Sequence, residues 1–207
     1  RQMCIRDSFD WARNGKFPSM TEPEPAYHGL TFHETFGDFG FTMKARAVAL
    51  RDFGPSMSPA NAFYTITAIE SLSARMDRHV ANAEAVAKFL EAHPSVAWVS
   101  YAGLKSSRYH NLAKKYLPKG AGSLFTFGLN GGYDAGIKLV ESVNLFSHLA
   151  NIGDTRSLIL HPASTTHRQL TDEQREAAGA GPDVIRLSVG LESADDLIDD
   201  LECALVA

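Results

Sequence analysis

Cysteine is almost missing from this chain. Of 207 residues only Cys4 and Cys203 are cysteine, and they sit at opposite ends. They form neither a CxxC pair nor a disulfide framework, so no structural disulfide is expected. Long apolar runs are missing too: none approaches the roughly 20 residues needed to cross a bilayer. The first residues lack the charged, apolar and small-residue regions of a signal peptide, and a cytoplasmic location is the expectation that follows. Nor is there an excess of one charge. The 20 basic and 24 acidic residues are interspersed and leave a net charge of −4, so no basic stripe offers itself to a phosphate backbone and nucleic acid is not expected as a partner. There is no GxGxxG after a strand, no GxxxxGK[ST], no HExxH and no GxSxG, which removes the local anchors of dinucleotide, NTP, zincin and α/β-hydrolase chemistry.

What is present, 44% hydrophobic side chains, suffices to bury one good core with an extended arm. From Phe9 to about Gly40 the chain carries Pro18, Pro23 and Pro25 among many aromatics, which predicts an ordered arm packed on something larger. A helix is expected from about Phe41 to Asp52, stopped at Gly54-Pro55. Ser58 as cap and Pro59 at the first helical position open another, whose apolar residues recur at helical spacing from Phe63 to Leu90. Some thirty residues is long for one helix, so a kink or a bridge between domains is expected. Beyond His93-Pro94, short β-branched or aromatic runs predict strands at 96–101, 123–129, 145–149, 157–160 and 184–189. Helices are expected at 111–116, 133–143 and 171–177, the last opened by the capping-box pair Thr171 and Gln174. A final helix follows Ser193, with Leu197, Ile198, Leu201 and Leu205 on one face. The alternation predicts an α/β sandwich with helices over one face of a sheet.

Little of the remaining chemistry stands out. His148, His161 and His167 match no common metal spacing and are read as turn and core histidines bonded to backbone. The acidic cluster at Asp195, Asp196, Asp199 and Asp200 complements a helix N-terminus and a solvated face rather than a cation. No metal site is expected. Arg186 is different: it is a single arginine in the otherwise apolar strand VIRLSV, followed by glycine and a helix. Burying it is costly unless an anion meets it, and its planar guanidinium matches a carboxylate in bidentate fashion. An internal bridge to Asp or Glu and a substrate anchor are both open on these grounds.

The phrases LFSHLANIGD, SLILHPASTTH and VIRLSVGLE, in that order before an acidic terminal helix, resemble the C-terminal part of the Cys/Met-metabolism enzymes that use pyridoxal phosphate (PLP). FDWARNGKFP, EPAYHGL and LRDFGPSMSPANAF are closest to the O-acetylhomoserine sulfhydrylase branch, and the resemblance runs from Phe9 to Ala207. It implies an α/β (α+β sandwich) small domain of a fold-type I, aspartate-aminotransferase-like enzyme, together with the end of its large domain. The expected division is a non-native start at 1–8, an arm of the large domain at 9–57, a linking helix at 58–94 and the small domain at 95–207. By the same resemblance Arg186 is the clamp for the substrate α-carboxylate and Asn151 assists it, while Ser157 and Thr165 lie in loops lining the site, with a structural role equally open for these two. The PLP-carrying lysine and the other cofactor contacts fall upstream of the matched motifs. Lys16, Lys44, Lys88, Lys105, Lys114, Lys115, Lys119 and Lys138 all have the wrong local context.

The implied reaction of the complete enzyme is γ-replacement on O-acetyl-L-homoserine, with sulfide or a thiol displacing acetate to give homocysteine or methionine. PLP acts there as electron sink, and the enzyme is a homo-oligomer, tetrameric by resemblance. This chain alone is expected to be catalytically silent. The alternatives are a related cystathionine γ-synthase or methionine γ-lyase type of reaction, or a non-catalytic assembly module.

Overall fold

A computed structural model of the chain describes residues 9–13 and 15–206; the start expected to be non-native, 1–8, lies outside the described residues. These divide into two units, one running to Ile66 and the other beginning at Thr67.

In the second unit the short apolar runs form strands β1 (Val96–Ser100), β2 (Leu124–Leu129), β3 (Ser147–His148), β4 (Leu158–Leu160) and β5 (Val184–Ser188). They make one sheet in the order β1-β2-β5-β4-β3, antiparallel throughout except for the parallel β3–β4 pair. Side chains alternate between faces along each strand. Phe125 and Phe127 therefore share a face with their cross-strand partners Leu187 and Ile185, and with Ile159. That face is the core. It packs against residues of three helices: Ala83, Val86 and Leu90, then Leu139, then Leu197 and Leu201. Phe127, Ile185 and Leu187 are wholly buried, and each such side chain contributes about 1.5–3 kcal/mol through the area it removes from water. Arg186 points to the opposite face, flanked in register by Thr126 on β2 and Leu160 on β4.

The helices are α1 (Pro59–Glu70), α2 (Leu72–Ala92), α3 (His110–Tyr116), α4 (Gly132–Ser142), α5 (Asp172–Ala177) and α6 (Ala194–Val206). Ser58 caps α1, its hydroxyl accepting from the Asn61 amide at 3.1 Å. The long helical pattern is broken at Ser71, where side chains compete for backbone groups: the Ser71 hydroxyl and the Arg75 guanidinium both donate to the Ala68 carbonyl. α1 buries none of its residues and leaves Phe63, Tyr64, Ile66 and Ile69 largely exposed. α2 buries a stripe of His79, Asn82, Ala83, Val86, Ala87 and Leu90, spaced to lie along one side. On α5 both halves of the capping box form between Thr171 and Gln174.

The strand expected at 145–149 shrinks to two residues because of a partner distant in sequence. The amides of Asn144, Leu145 and Phe146 all donate to the Asp200 carboxylate of α6 and are taken out of the ladder.

In the first unit Pro18 and Pro25 each open a short helical turn (Pro18–Thr21 and Pro25–Tyr27), where a missing N–H costs nothing. The expected helix near Phe41 runs from Gly40 to Phe53 and stops at Gly54, which is left-handed with φ 65°. Its middle, Ala45–Leu50, widens to a π-helix, and the Tyr27 hydroxyl donates to the Ala47 carbonyl there. Phe9, Trp11 and Phe17 meet edge to face, and Trp11 stacks on Phe41 with centroids 5.7 Å apart. Phe39 and Phe53 remain exposed.

Candidate functional site

The apolar alternation of β5 places Arg186 at the middle of the sheet, half-buried, on the face away from the helical core. Its guanidinium donates to the Asn151 backbone carbonyl through Nη2 at 3.4 Å. Ion pairs among the described residues join Lys44 to Glu24, His93 to Glu202 and Arg175 to Asp172; none involves Arg186. Its charge thus meets one long carbonyl contact and no carboxylate among the described residues, an arrangement that leaves the fork of the guanidinium free for an external anion.

Asn151 is exposed, and its own Oδ1 accepts from the Ile152 amide at 2.8 Å, so it is the backbone carbonyl that it presents to Arg186. Ser157 is wholly buried and committed on both sides. Its hydroxyl donates to Glu192 Oε2 at 2.8 Å and accepts from the Gly190 amide at 2.7 Å, and its own amide donates to Glu192 Oε1 at 2.7 Å. Thr165 follows the 3₁₀ turn Pro162–Ser164 and donates its hydroxyl hydrogen to the His161 carbonyl at 2.7 Å. Arg186, Asn151 and Ser157 therefore belong to one interlocked pair of segments, 151–157 and 186–192, while Thr165 is held within the turn that follows β4.

Two further contacts join the segments. The Gly153 amide donates to Ser188 Oγ at 3.2 Å, and the Leu191 amide donates to the Thr155 carbonyl at 2.9 Å. Gly190 is where they come closest: a Cβ there would stand 2.5 Å from the Arg156 carbonyl carbon and the Ser157 nitrogen. Helix α2 secures the 189–192 side. Asn82 Nδ2 donates to the carbonyls of Gly190 (3.0 Å) and Glu192 (2.8 Å), Arg78 donates to the Glu192 carbonyl (2.9 Å), and His79 Nδ1 donates to the Val189 carbonyl (2.6 Å).

Sequence reasoning did not single out Glu192, Gly190, His79 or Asn82. The available signals were two polar residues inside an otherwise apolar helical stripe and a GLE run directly after a strand.

Of the three histidines, His161 is the one that fits the expected core position bonded to backbone. His161 is buried, with Nε2 donating to the Pro182 carbonyl and Nδ1 beside Ser164 Oγ, both at 2.9 Å. A carbonyl only accepts, which assigns the proton to Nε2. His167 pairs with Thr166, and His148 is exposed at the sheet edge. Among the described residues no group of three or more His, Cys, Asp or Glu side chains is placed to share a metal ion.

A PLP-type cofactor is carried on a lysine side chain. Lys44 is paired with Glu24; the other lysines are exposed. Lys88 and Lys138 sit on α2 and α4, which cover the face of the sheet opposite Arg186. The donor set around Arg186 fits a carboxylate and not the attachment point of a cofactor.

The model of the Cys/Met metabolism PLP-dependent enzyme family matches residues 23–206. The chain is 50% identical to a homocysteine synthase of Schizosaccharomyces pombe, over 95% of this chain and 46% of that protein. It is 48% identical to an O-acetyl-L-homoserine sulfhydrylase of Leptospira meyeri, over 96% of this chain and 47% of that protein. Its structure is similar, with a TM-score of 0.84 and 41% identity, to a crystal structure from Campylobacter jejuni described as an O-acetylhomoserine (thiol)-lyase and carrying a pyridoxyl-lysine phosphate residue. That match covers 95% of this chain and 46% of the other. The chain spans about half the length of the curated relatives it matches.

Proposed function

Because the chain belongs to the Cys/Met metabolism PLP-dependent enzyme family, we propose that it is the substrate-carboxylate part of an O-acetyl-L-homoserine sulfhydrylase. The complete protein replaces the acetate of O-acetylhomoserine by sulfide or a thiol, yielding homocysteine or methionine. The observation that carries this reading is Arg186, half-buried in an apolar strand with no carboxylate partner among the described residues. A guanidinium so placed binds a planar carboxylate through two parallel hydrogen bonds and fixes its orientation as well as its charge. Asn151 assists by accepting from the guanidinium through its backbone carbonyl, which orients the fork. Ser157 supports the cradle from behind through its bonds to Gly190 and Glu192, and Thr165 borders it.

PLP, held by residues outside this chain, supplies the electron sink for the reaction. This chain's residues hold and orient the amino acid, so that the bonds to be broken stay aligned, a contribution worth large factors in rate. By itself the chain is catalytically silent. Residues 9–57 belong to the cofactor-binding domain, 58–94 link the two domains and 95–207 form the small domain. The exposed apolar side chains of α1 support that division, since a cluster of exposed apolar side chains marks a packing interface. The family acts on small molecules; a cytoplasmic location and a homotetrameric assembly complete the reading, and no described helix is long and apolar enough to cross a membrane.

The test is Arg186→Lys in the full-length protein, which keeps the charge and loses the fork. Losing a desolvated charge-assisted pair costs about 2–5 kcal/mol, or roughly thirty- to several-thousand-fold in kcat/KM for O-acetylhomoserine. PLP content and melting temperature are expected to stay at wild-type values. Unchanged kcat/KM with a lowered melting temperature would instead mark Arg186 as a structural residue.

A further inference from the structure

Segment 151–157 is tied to segment 186–192 at every second residue. Asn151 accepts from Arg186, Gly153 donates to Ser188, Thr155 accepts from Leu191, and Ser157 bonds to both Gly190 and Glu192. The ties are graded. At the Ser157 end they are short, 2.7 to 2.8 Å, and buried or partly buried; at the Asn151 end the single contact is 3.4 Å and exposed. The position of the Asn151 carbonyl is therefore set from the buried end.

At that end Glu192 is the only group among the described residues that grips Ser157 by two atoms, taking the amide on one carboxylate oxygen and the hydroxyl on the other. Its own backbone is fixed to α2 by Arg78 and Asn82. Ser157 has no spare hydrogen: the hydroxyl proton goes to Glu192, while its lone pairs receive the Gly190 amide. A carboxylate suits this partner because both of its oxygens accept, whereas an amide offers one acceptor and one donor.

We propose that Glu192 is a positioning residue for the anion site: by clamping Ser157 it sets the 151–157 loop so that Asn151 stands against Arg186 in the geometry that receives a carboxylate. The proposal rests on the reading of Arg186 as the carboxylate anchor. Glu192 touches neither the ligand nor Arg186; it acts through the loop.

The experiment uses the full-length holoprotein with Glu192→Gln and Ser157→Ala, and Arg186→Lys as reference. Three quantities are read on each: KM and kcat for O-acetylhomoserine, amide hydrogen exchange across 151–157, and melting temperature. Glu192→Gln is expected to raise KM about five- to twentyfold with a smaller fall in kcat, because Arg186 is kept and still aligns the carboxylate while the loop beside it is loosened. The amides of Gly153 and Ser157 are expected to exchange at least about tenfold faster, a change that does not depend on turnover. Ser157→Ala keeps the backbone contact to Glu192 and is expected to give a smaller rise in KM of the same kind. KM within twofold of wild type in folded Glu192→Gln, whatever happens to the melting temperature, overturns the proposal and leaves Glu192 as a stabilising contact only. If Arg186→Lys itself leaves KM and kcat/KM unchanged, it is the anchor reading that has failed; a damaged Arg186→Lys beside a normal Glu192→Gln isolates the failure to the positioning role.

Discussion

Replacing Gly190 by alanine is the sharpest steric test of how the two segments meet. Its φ is not in the left-handed region, so the residue is required by space and not by backbone conformation. The added Cβ would lie 2.5 Å from the Arg156 carbonyl carbon, the Ser157 nitrogen and Glu192 Oε2, and two of those three are backbone atoms with no rotamer to change. Ordinary contact begins near 3.4 Å, so the segments must part by roughly 0.9 Å, within the range where overpacking costs about 1–3 kcal/mol. That displacement also stretches the Gly190–Ser157 hydrogen bond (2.7 Å) and the Leu191–Thr155 bond (2.9 Å) out of range, at about 1 kcal/mol each. A total of about 3–5 kcal/mol is expected from urea-induced unfolding. Gly153→Ala is the matched control: Gly153 has φ 76° and nothing within 4 Å of the place an added methyl would occupy, so only the left-handed strain of about 1–2 kcal/mol applies. If Gly190→Ala proves no more destabilising than Gly153→Ala, the two segments do not approach as closely as their contacts require.

Further outcomes are expected elsewhere in the unit that begins at Thr67. The Tyr101 hydroxyl, buried and donating to the Gly122 carbonyl, has its pKa pushed up to about 12 from 10.0 by desolvation and, second, by Glu84. The neutral form is favoured by folding, so this contribution is complete below pH 10 and is lost as pH rises through about 12. It amounts to at most about 2 kcal/mol after solvent screening; Tyr101→Phe should flatten stability between pH 10 and 12, which thermal melts across that range will show. Asp200→Asn exchanges one of the acceptor oxygens serving Asn144, Leu145 and Phe146 for a donor. It should cost about 1–2 kcal/mol in denaturant unfolding and speed amide exchange at these three residues.

Much of the sheet was legible in the sequence because its signals are local. Short β-branched runs bounded by turns marked all five strands, and an arginine inside VIRLSV stood out because its neighbours are apolar. Features that depend on a distant partner were not legible. The strand at 145–149 is cut to Ser147–His148 by a carboxylate on α6, and the π-helix at Ala45–Leu50 coincides with a bond from Tyr27, twenty residues away from Ala47. Ser157 could be picked out by position, but its part in the structure could not, since Glu192 reaches it from 35 residues further on. The resemblance of LANIGD and RLSVGLE to a known family named Asn151 and Arg186 as a pair; it did not say that the backbone carbonyl of Asn151, and not its side chain, is what Arg186 meets.

Among the described residues, the bonds that hold the Arg186–Asn151 pair, from Arg78 to Glu192, come from residues beyond Thr67. The pair is consequently portable. Chimaeras between relatives joined ahead of Leu72 would inherit the whole ladder from one parent, whereas a crossover between 160 and 184 would mate one parent's 151–157 loop with the other's RLSVGLE strand. If the pair is the carboxylate cradle, carboxylate capture should therefore survive recombination at the first junction and fail at the second, even between parents whose individual residues at 151 and 186 are the same.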